Sequence, residues 1–282
     1  MKITQFSALA RPLDINYRSN RNVLLIFLLV LILGTAYQWL VGLQFLDSLW
    51  WGVQAAFVVF LTWALGREVD PDINSTAMLS LAVALAAFYF FGEDFNWLLL
   101  IAWLMLMRIG SHICGQSVKL MDAVLVIGLA TYLVWRGDYI IGFALSVAFF
   151  ADYRLQPAHD RSLWYAIASF VLSIVALIFT SLEDYNFSYD YYWMGGVIGL
   201  GVLFAILTIP DYKRPRSTED YRVQALSGSR MQAVQLILLV SLLLMYFLKG
   251  QTSVISLAPL WATLVSSILV RIYQVLTARS LA

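Results

Sequence analysis

Ten apolar runs separated by short polar stretches constrain this chain more than any other feature. They fall at Val23 to about Leu43, Leu46 to Leu65, Thr76 to Phe91, Phe95 to Met107, Ala123 to Trp135, Tyr139 to Ala151, Ser162 to Leu182, Tyr191 to Ile209, Met231 to Leu248 and Val254 to Val270. A bilayer has no water to satisfy unpaired backbone groups, so runs of this length are expected as helices, and the short alternating segments of a β-barrel are absent. Only 12% of the 282 residues are charged, against roughly 25% in a soluble domain. The expectation is an all-α, polytopic integral membrane protein of about ten transmembrane helices. The first run is too long for a signal-peptide core and has no small-residue cleavage site, so it reads as a retained helix. The organisation predicted is a cytoplasmic N-terminal segment 1–22, one transmembrane domain 23–270 with a cytoplasmic linker 211–230, and a cytoplasmic tail 271–282.

Orientation follows from the basic residues. With the N-terminus cytoplasmic, every one of the 18 Lys and Arg residues except Arg136 and Lys249 falls on the cytoplasmic side, the pattern of the positive-inside rule. Both termini are expected in the cytoplasm, and the simplest host is a bacterial inner membrane, since the sequence carries no transit peptide or sorting tail.

The fourth, fifth and sixth runs hold about 13 uncharged residues each, roughly 20 Å of helix against a hydrocarbon core of about 30 Å. They are expected either to dip without crossing or to draw polar neighbours inward: Arg108 and His112, four apart on one face of an extended fourth helix; Lys119 and Asp122 at the start of the fifth; Asp152 and Arg154 at the end of the sixth. Ionisable groups at that depth pair with one another or face a polar cavity.

Short echoes suggest a parallel four-helix internal repeat, helices two to five matching six to nine. Glu93-Asp94-Phe95-Asn96 resembles Glu183-Asp184-Tyr185-Asn186, and Trp135-Arg136-Gly137 resembles Leu248-Lys249-Gly250. The internal loops 66–75 and 151–162 each couple carboxylates, an arginine and a proline before a serine that starts the next helix. Two such loops meeting across a pseudo-twofold axis would enclose a cytoplasm-facing vestibule. Its candidate ligand-binding residues are Arg67, Glu68, Asp70, Asp72, Arg108, His112, Asp122, Asp152, Arg154, His159 and Asp160.

These residue types suit two chemistries. Carboxylates and arginines in a membrane-embedded vestibule fit a carrier or flippase for a small or lipid-linked solute. The same groups, with Mg²⁺ held by the carboxylates and arginines on phosphate oxygens, fit an intramembrane lipid-modifying enzyme, although no Asn-Asp-x-x-Asp motif occurs in Arg67-Glu68-Val69-Asp70-Pro71-Asp72. A non-catalytic membrane subunit, meeting a protein partner through 211–230, is the third reading. Asp70-Pro71-Asp72 also makes an ordinary turn and helix start, and no zinc or other metal site is expected from two histidines and one cysteine. His112 and Cys114, two apart, would face different sides of a helix and form no dyad. No nucleotide-binding loop or serine elbow is present. The net charge of +1 gives no basic surface for nucleic acid. Membrane lipids are the expected surroundings, and no cofactor is named by the sequence. Transport ranks slightly above lipid chemistry, because no catalytic signature is intact.

Overall fold

The computed structural model describes residues 7–11, 13, 15–180, 190–220 and 224–280, with nothing said of the side chains of Glu93 and 278–280. Eleven α-helices occur among the described residues, with no β-strand: α1 Arg18–Leu40, α2 Phe45–Val69, α3 Asn74–Phe91, α4 Trp97–Ser111, α5 Leu120–Trp135, α6 Tyr139–Arg154, α7 Arg161–Ile178, α8 Tyr191–Leu207, α9 Gly228–Lys249, α10 Gln251–Ser256 and α11 Ala258–Ser280. Ten coincide with the apolar runs. The extra one, α10, arises where the chain breaks at Gly250, whose positive φ ends α9, and again before Pro259, a residue suited to the first turn of α11. α11 runs straight through position 271, so the tail expected to begin there is helix.

Among the described residues, seven helices are long and apolar enough to cross a membrane: α1, α2, α3, α7, α9, the stretch Tyr191–Lys213 that extends α8 through a 3-10 turn, and the Ala258–Thr277 part of α11. This composition is compatible with a membrane-embedded protein. Large apolar side chains point outward on α1, α5, α7 and α8, with Trp164 at 71% exposure and Ile206 at 64%, a surface that water would penalise and lipid accepts.

The helices pack in two groups. α2 lies against α1, α3, α4 and α11, and α6 against α4, α5, α7 and α9. Close approach is made where a side chain is missing: a Cβ at Gly52 would overlap Thr35 on α1, and one at Gly142 would overlap Ser173 on α7, the small-residue contacts that drive helix association in lipid. Among the described residues, connections gather at two ends of the bundle. Hydrogen bonds tie the segments around 70, 112, 156 and 217 to each other and to residues 8–11 at one end, called here the basic end. At the opposite end Asn96, Asp138, Lys249 and Ser256 are joined.

Candidate functional site

Charge is buried at the basic end in three separate clusters. The first surrounds Glu68 in the last turn of α2. Its Oε1 accepts from Arg11 Nη1 at 3.1 Å and from Arg108 Nε at 3.0 Å, while its Oε2 is buried with no hydrogen-bond partner. Arg11 also grips Asp220 of the α8–α9 linker, with Nε–Oδ2 at 2.6 Å. Burial works against the Arg11 charge, but Glu68 and Asp220 outweigh it and hold the guanidinium above its ordinary pKa. Arg108 donates a further bond to the Leu9 carbonyl, and the Ala8 amide donates to Asp122 Oδ2 at 2.7 Å. The N-terminal segment 7–11 is thereby folded into the bundle. Arg67, next to Glu68, lies over the Trp63 ring at 5.8 Å, and its Nε is buried without an acceptor.

These groups close one end of a cavity of about 1110 Å³. One wall is apolar, made by Phe60, Trp63 and Ala64 of α2, Ile101, Leu104 and Met105 of α4, and Leu125, Val126 and Leu129 of α5, while Asn20, Asn74 and the linker residues Arg216 to Glu219 add polar lining. Leu125 lines the cavity and is 64% exposed, so the space opens sideways at α5. The arrangement is amphiphilic. A greasy slot leads to four arginines, Arg11, Arg67, Arg108 and Arg216, of which Arg11 and Arg108 already share the Glu68 carboxylate.

The second cluster centres on Asp70, which caps the C-terminal end of α2. Arg271 of α11 meets it edge on, and Tyr212 and Thr76 hydroxyls donate at 2.5 and 2.6 Å. Arg271 Nε reaches Asp211 at 2.9 Å. Asp72 accepts from the backbone amides of Arg216 and Ser217. Asp70 and Asp72 thus clamp the linker and α11 onto the α2–α3 turn, and their oxygens are committed.

The third cluster is built on Asp152 of α6. Arg230, fully buried in the first turn of α9, donates to its Oδ1 at 2.8 Å and also to the carbonyls of Leu155, Gln156 and Pro157. Ser162 donates to Oδ2 at 2.5 Å, and His159 Nδ1 lies 3.3 Å from Oδ1. His112 stacks on His159 with centroids 5.0 Å apart and points Nδ1 at Glu219 Oε1, 3.4 Å away.

The sequence candidates therefore separate. Arg67, Glu68, Arg108, Asp122 and one side of Asp72 line the cavity. Asp152, His159 and His112 are packed around Arg230, and Arg154 and Asp160 are exposed. Arg108 and His112 do not share a helix face: α4 stops at Ser111 and His112 is a left-handed cap, φ 57°, which swings its ring to Glu219 while Arg108 turns to Glu68. Nor do the two loops enclose one vestibule. The cavity takes residues from the first loop, the N-terminal segment and the linker, but none from 151–162. The echo at Glu183-Asp184-Tyr185-Asn186 lies outside the described residues. The linker 211–230, expected as a surface segment, is folded onto the bundle, with Tyr212, Glu219 and Leu226 buried.

Arg11, Asp220, Glu219, Arg230 and Arg271 are functional-site or scaffold residues that positional reasoning counted only as topology markers or linker charge. The available signal was that Arg230 and Arg271 directly abut apolar runs, which is where an arginine is drawn into the bundle. Cys114 is buried against the Leu9 carbonyl, 3.8 Å away, and burial pushes its thiol up to about 12, far from a reactive thiolate. Comparison with family models, curated proteins and solved structures finds no match to this chain.

Proposed function

We propose that this protein is a ten-span carrier or flippase for an amphiphilic, lipid-linked solute whose phosphate-bearing head enters the cavity at the basic end. The observation that carries this reading is the combination, in one space, of apolar walls from α2, α4 and α5 with Arg11, Arg67 and Arg108 at one end and a lateral opening at Leu125. Arginine is the residue suited to phosphate oxygens in a dry setting. The apolar slot suits an acyl or polyprenyl chain.

The membrane topology belongs to the same proposal. The seven long helices and the shorter α4, α5 and α6 all cross, with both ends of the chain and the basic end of the bundle in the cytoplasm of a bacterial cell. The gathering of the described connections at two ends supports this, as does the placing of Arg136 and Lys249 at the opposite end. α4, α5 and α6, at 15 to 16 residues, are short for a bilayer and pull Arg108, Asp122 and Asp152 toward its edge. The parallel repeat keeps one support: each of the α2–α3 and α6–α7 pairs holds a buried aspartate between a hydroxyl of the next helix and a distant arginine.

A lipid-modifying transferase is the weaker reading, because Asp70 and Asp152 are saturated by arginine and hydroxyl donors and have no oxygens to spare for Mg²⁺. The test is native mass spectrometry of the protein released from lipid nanodiscs, wild type against Arg67→Gln and Arg108→Gln. A defined lipid retained by wild type and lost in either variant is the expected result. Only bulk lipid in all three overturns the proposal.

A further inference from the structure

A second cavity, of about 620 Å³, lies at the opposite end of the bundle. It is lined by Asp94, Phe95, Asn96, Trp97 and Leu98, by Tyr132, Leu133 and Arg136, and by Asp138 and Lys249. Lys249 and Asp138 satisfy each other at 2.6 Å, and Asn96 completes the Asp138 carboxylate at 2.8 Å. Arg136 and Asp94 remain, both exposed and without an ion pair among the described residues. The cavity thus offers one uncommitted cation and one uncommitted carboxylate.

The basic-end cavity has the same remainder. Arg11 is held by Glu68 and Asp220, Asp122 by the Ala8 amide and Asp72 by the linker amides. What is left over is again equal in the two charges: Arg67, whose Nε has no acceptor, and the exposed Arg216, without an ion pair among the described residues, against Glu68 and Glu219, each buried with an Oε2 that has no donor; Arg67 and Glu68 are the neighbouring pair. An orphaned buried carboxylate oxygen is costly, and a ligand donor relieves it.

The two cavities lie on one seam. Along α4 the opposite-end cavity takes Trp97 and Leu98 and the basic-end cavity takes Ile101, Leu104, Met105 and Arg108; along α5 the split is Leu133 and Tyr132 against Leu129, Val126, Leu125 and Asp122. On each helix the nearest lining residues are three positions apart, about 4.5 Å of rise. Leu98, Leu125 and Tyr132, exposed on this seam, leave it open to the surrounding lipid.

Resting on the carrier reading above, we infer that the substrate is a zwitterionic phospholipid, a phosphate with an amine cation, and that its headgroup passes along the α4–α5 seam between two stations of matched charge. At one station Arg67 takes the phosphate and Glu68 the ammonium. At the other Arg136 takes the phosphate and Asp94 the ammonium. The tails stay in the bilayer beside Leu98 and Leu125. A headgroup of net negative charge meets a carboxylate at both stations with no ammonium to offset it, and is disfavoured at each.

The test uses the full chain in proteoliposomes with acyl-chain-labelled phosphatidylethanolamine, phosphatidylcholine or phosphatidylglycerol, and dithionite to read how much label crosses between leaflets. The two zwitterionic lipids should exchange about tenfold faster than phosphatidylglycerol, the order of effect of one charge-assisted hydrogen bond. Asp94→Asn and Arg136→Gln, both at exposed positions, should slow zwitterionic exchange, and Asp94→Asn should narrow the gap to phosphatidylglycerol. Exchange of phosphatidylglycerol as fast as the zwitterionic lipids overturns the headgroup assignment and leaves the carrier reading standing. Zwitterionic preference unchanged in both variants overturns the outer station. Uptake of labelled free phosphoethanolamine without lipid exchange overturns the lipid assignment in favour of the soluble head. No exchange of any lipid, with no lipid retained in the nanodisc experiment, defeats the carrier reading itself.

Discussion

Asp70 and Arg271 stand 201 residues apart in the chain and meet as a two-pronged pair, Nη1–Oδ2 at 2.7 Å and Nη2–Oδ1 at 3.2 Å, with the Asp70 side chain fully buried. The same device recurs at Asp152, where Arg230 supplies the guanidinium and Ser162 the hydroxyl that Thr76 supplies to Asp70. In both places the carboxylate ends one helix, the hydroxyl begins the next, and the arginine comes from the last third of the chain. The pairs fasten α9 and α11 to helices laid down much earlier, and so hold the basic end closed beside the cavity.

Removing one member of such a pair leaves a buried charge without its counter-ion, which costs about 3–5 kcal/mol, whereas removing both is far milder. Arg271→Met is therefore expected to lower the thermal midpoint strongly in detergent. The double variant Asp70→Asn with Arg271→Met should recover much of the loss, because one of the Tyr212 and Thr76 hydroxyls still donates to the asparagine oxygen and the other can accept from its amide. A double variant as unstable as the single one would show that Arg271 acts elsewhere.

Arg230 differs from Arg271 in spending most of its donors on backbone. It bonds the carbonyls of Leu155, Gln156 and Pro157 as well as Asp152, so it orders the α6–α7 loop. Lysine keeps the charge but concentrates three donors at one point and has no planar fork. Arg230→Lys should therefore hold the Asp152 pair and lose the loop, seen as faster limited proteolysis between 155 and 160 with a modest drop in melting temperature. Unchanged protease resistance would assign Arg230 to the Asp152 charge alone.

Much of this was legible in the sequence and some was not, for physical reasons. Helix existence follows from apolar length, and ten runs became ten helices. Helix ends follow from local caps, and the left-handed backbone of His112 could not be read from Arg108-Ile109-Gly110-Ser111-His112. That one residue decides whether His112 joins Arg108 or faces Glu219. The loop Gly66 to Ser75 shows its charge in the sequence, but the partners of Asp70 and Asp72, Arg271 and the 216–217 amides, lie far along the chain. Such pairs span most of the chain, and no spacing rule reaches that far. The resemblance of the loops at Arg136 and Lys249 had a spatial counterpart: Asp138, next to the first, binds Lys249 in the second.

His112 gives the basic end a pH dependence of definite sign. Burial, then the Arg230 charge and His159, lowers the His112 pKa below its ordinary 6.5, against the opposing pull of Asp152 and Glu219. The unfolded chain then binds a proton near pH 6.5 that the folded chain takes up only at lower pH. Stability contributed by neutral His112 is complete above about pH 6.5 and is lost as pH falls through that value toward the folded pKa. Melting temperatures measured from pH 7.5 to 5 should fall in this window, and His112→Gln should flatten that part of the curve. A His112→Gln profile that tracks wild type would place the titration at another group.

The N-terminal segment offers the most direct reading of how the cavity opens. Leu9 is buried, its carbonyl is held by Arg108 and lies 3.8 Å from Cys114 Sγ, and Arg11 pins the segment to Glu68 and Asp220. Cys114 is the only cysteine, buried with its thiol pushed up to about 12, so a maleimide at pH 7.5 should modify it slowly in the wild-type protein. Arg11→Gln removes both ion pairs and should free residues 7–11 to leave the cavity mouth. Cys114 is then expected to label at least about tenfold faster, since reactivity follows exposure and thiolate fraction. Helical circular dichroism and melting of the bundle should change little, because α1 to α11 do not depend on that segment for their own backbone bonds. Labelling that stays slow in Arg11→Gln, with the fold intact, would show that the segment is anchored by Ala8 on Asp122 and by Arg108 on Leu9, and Asp122→Asn combined with Arg11→Gln would then be the variant that releases it.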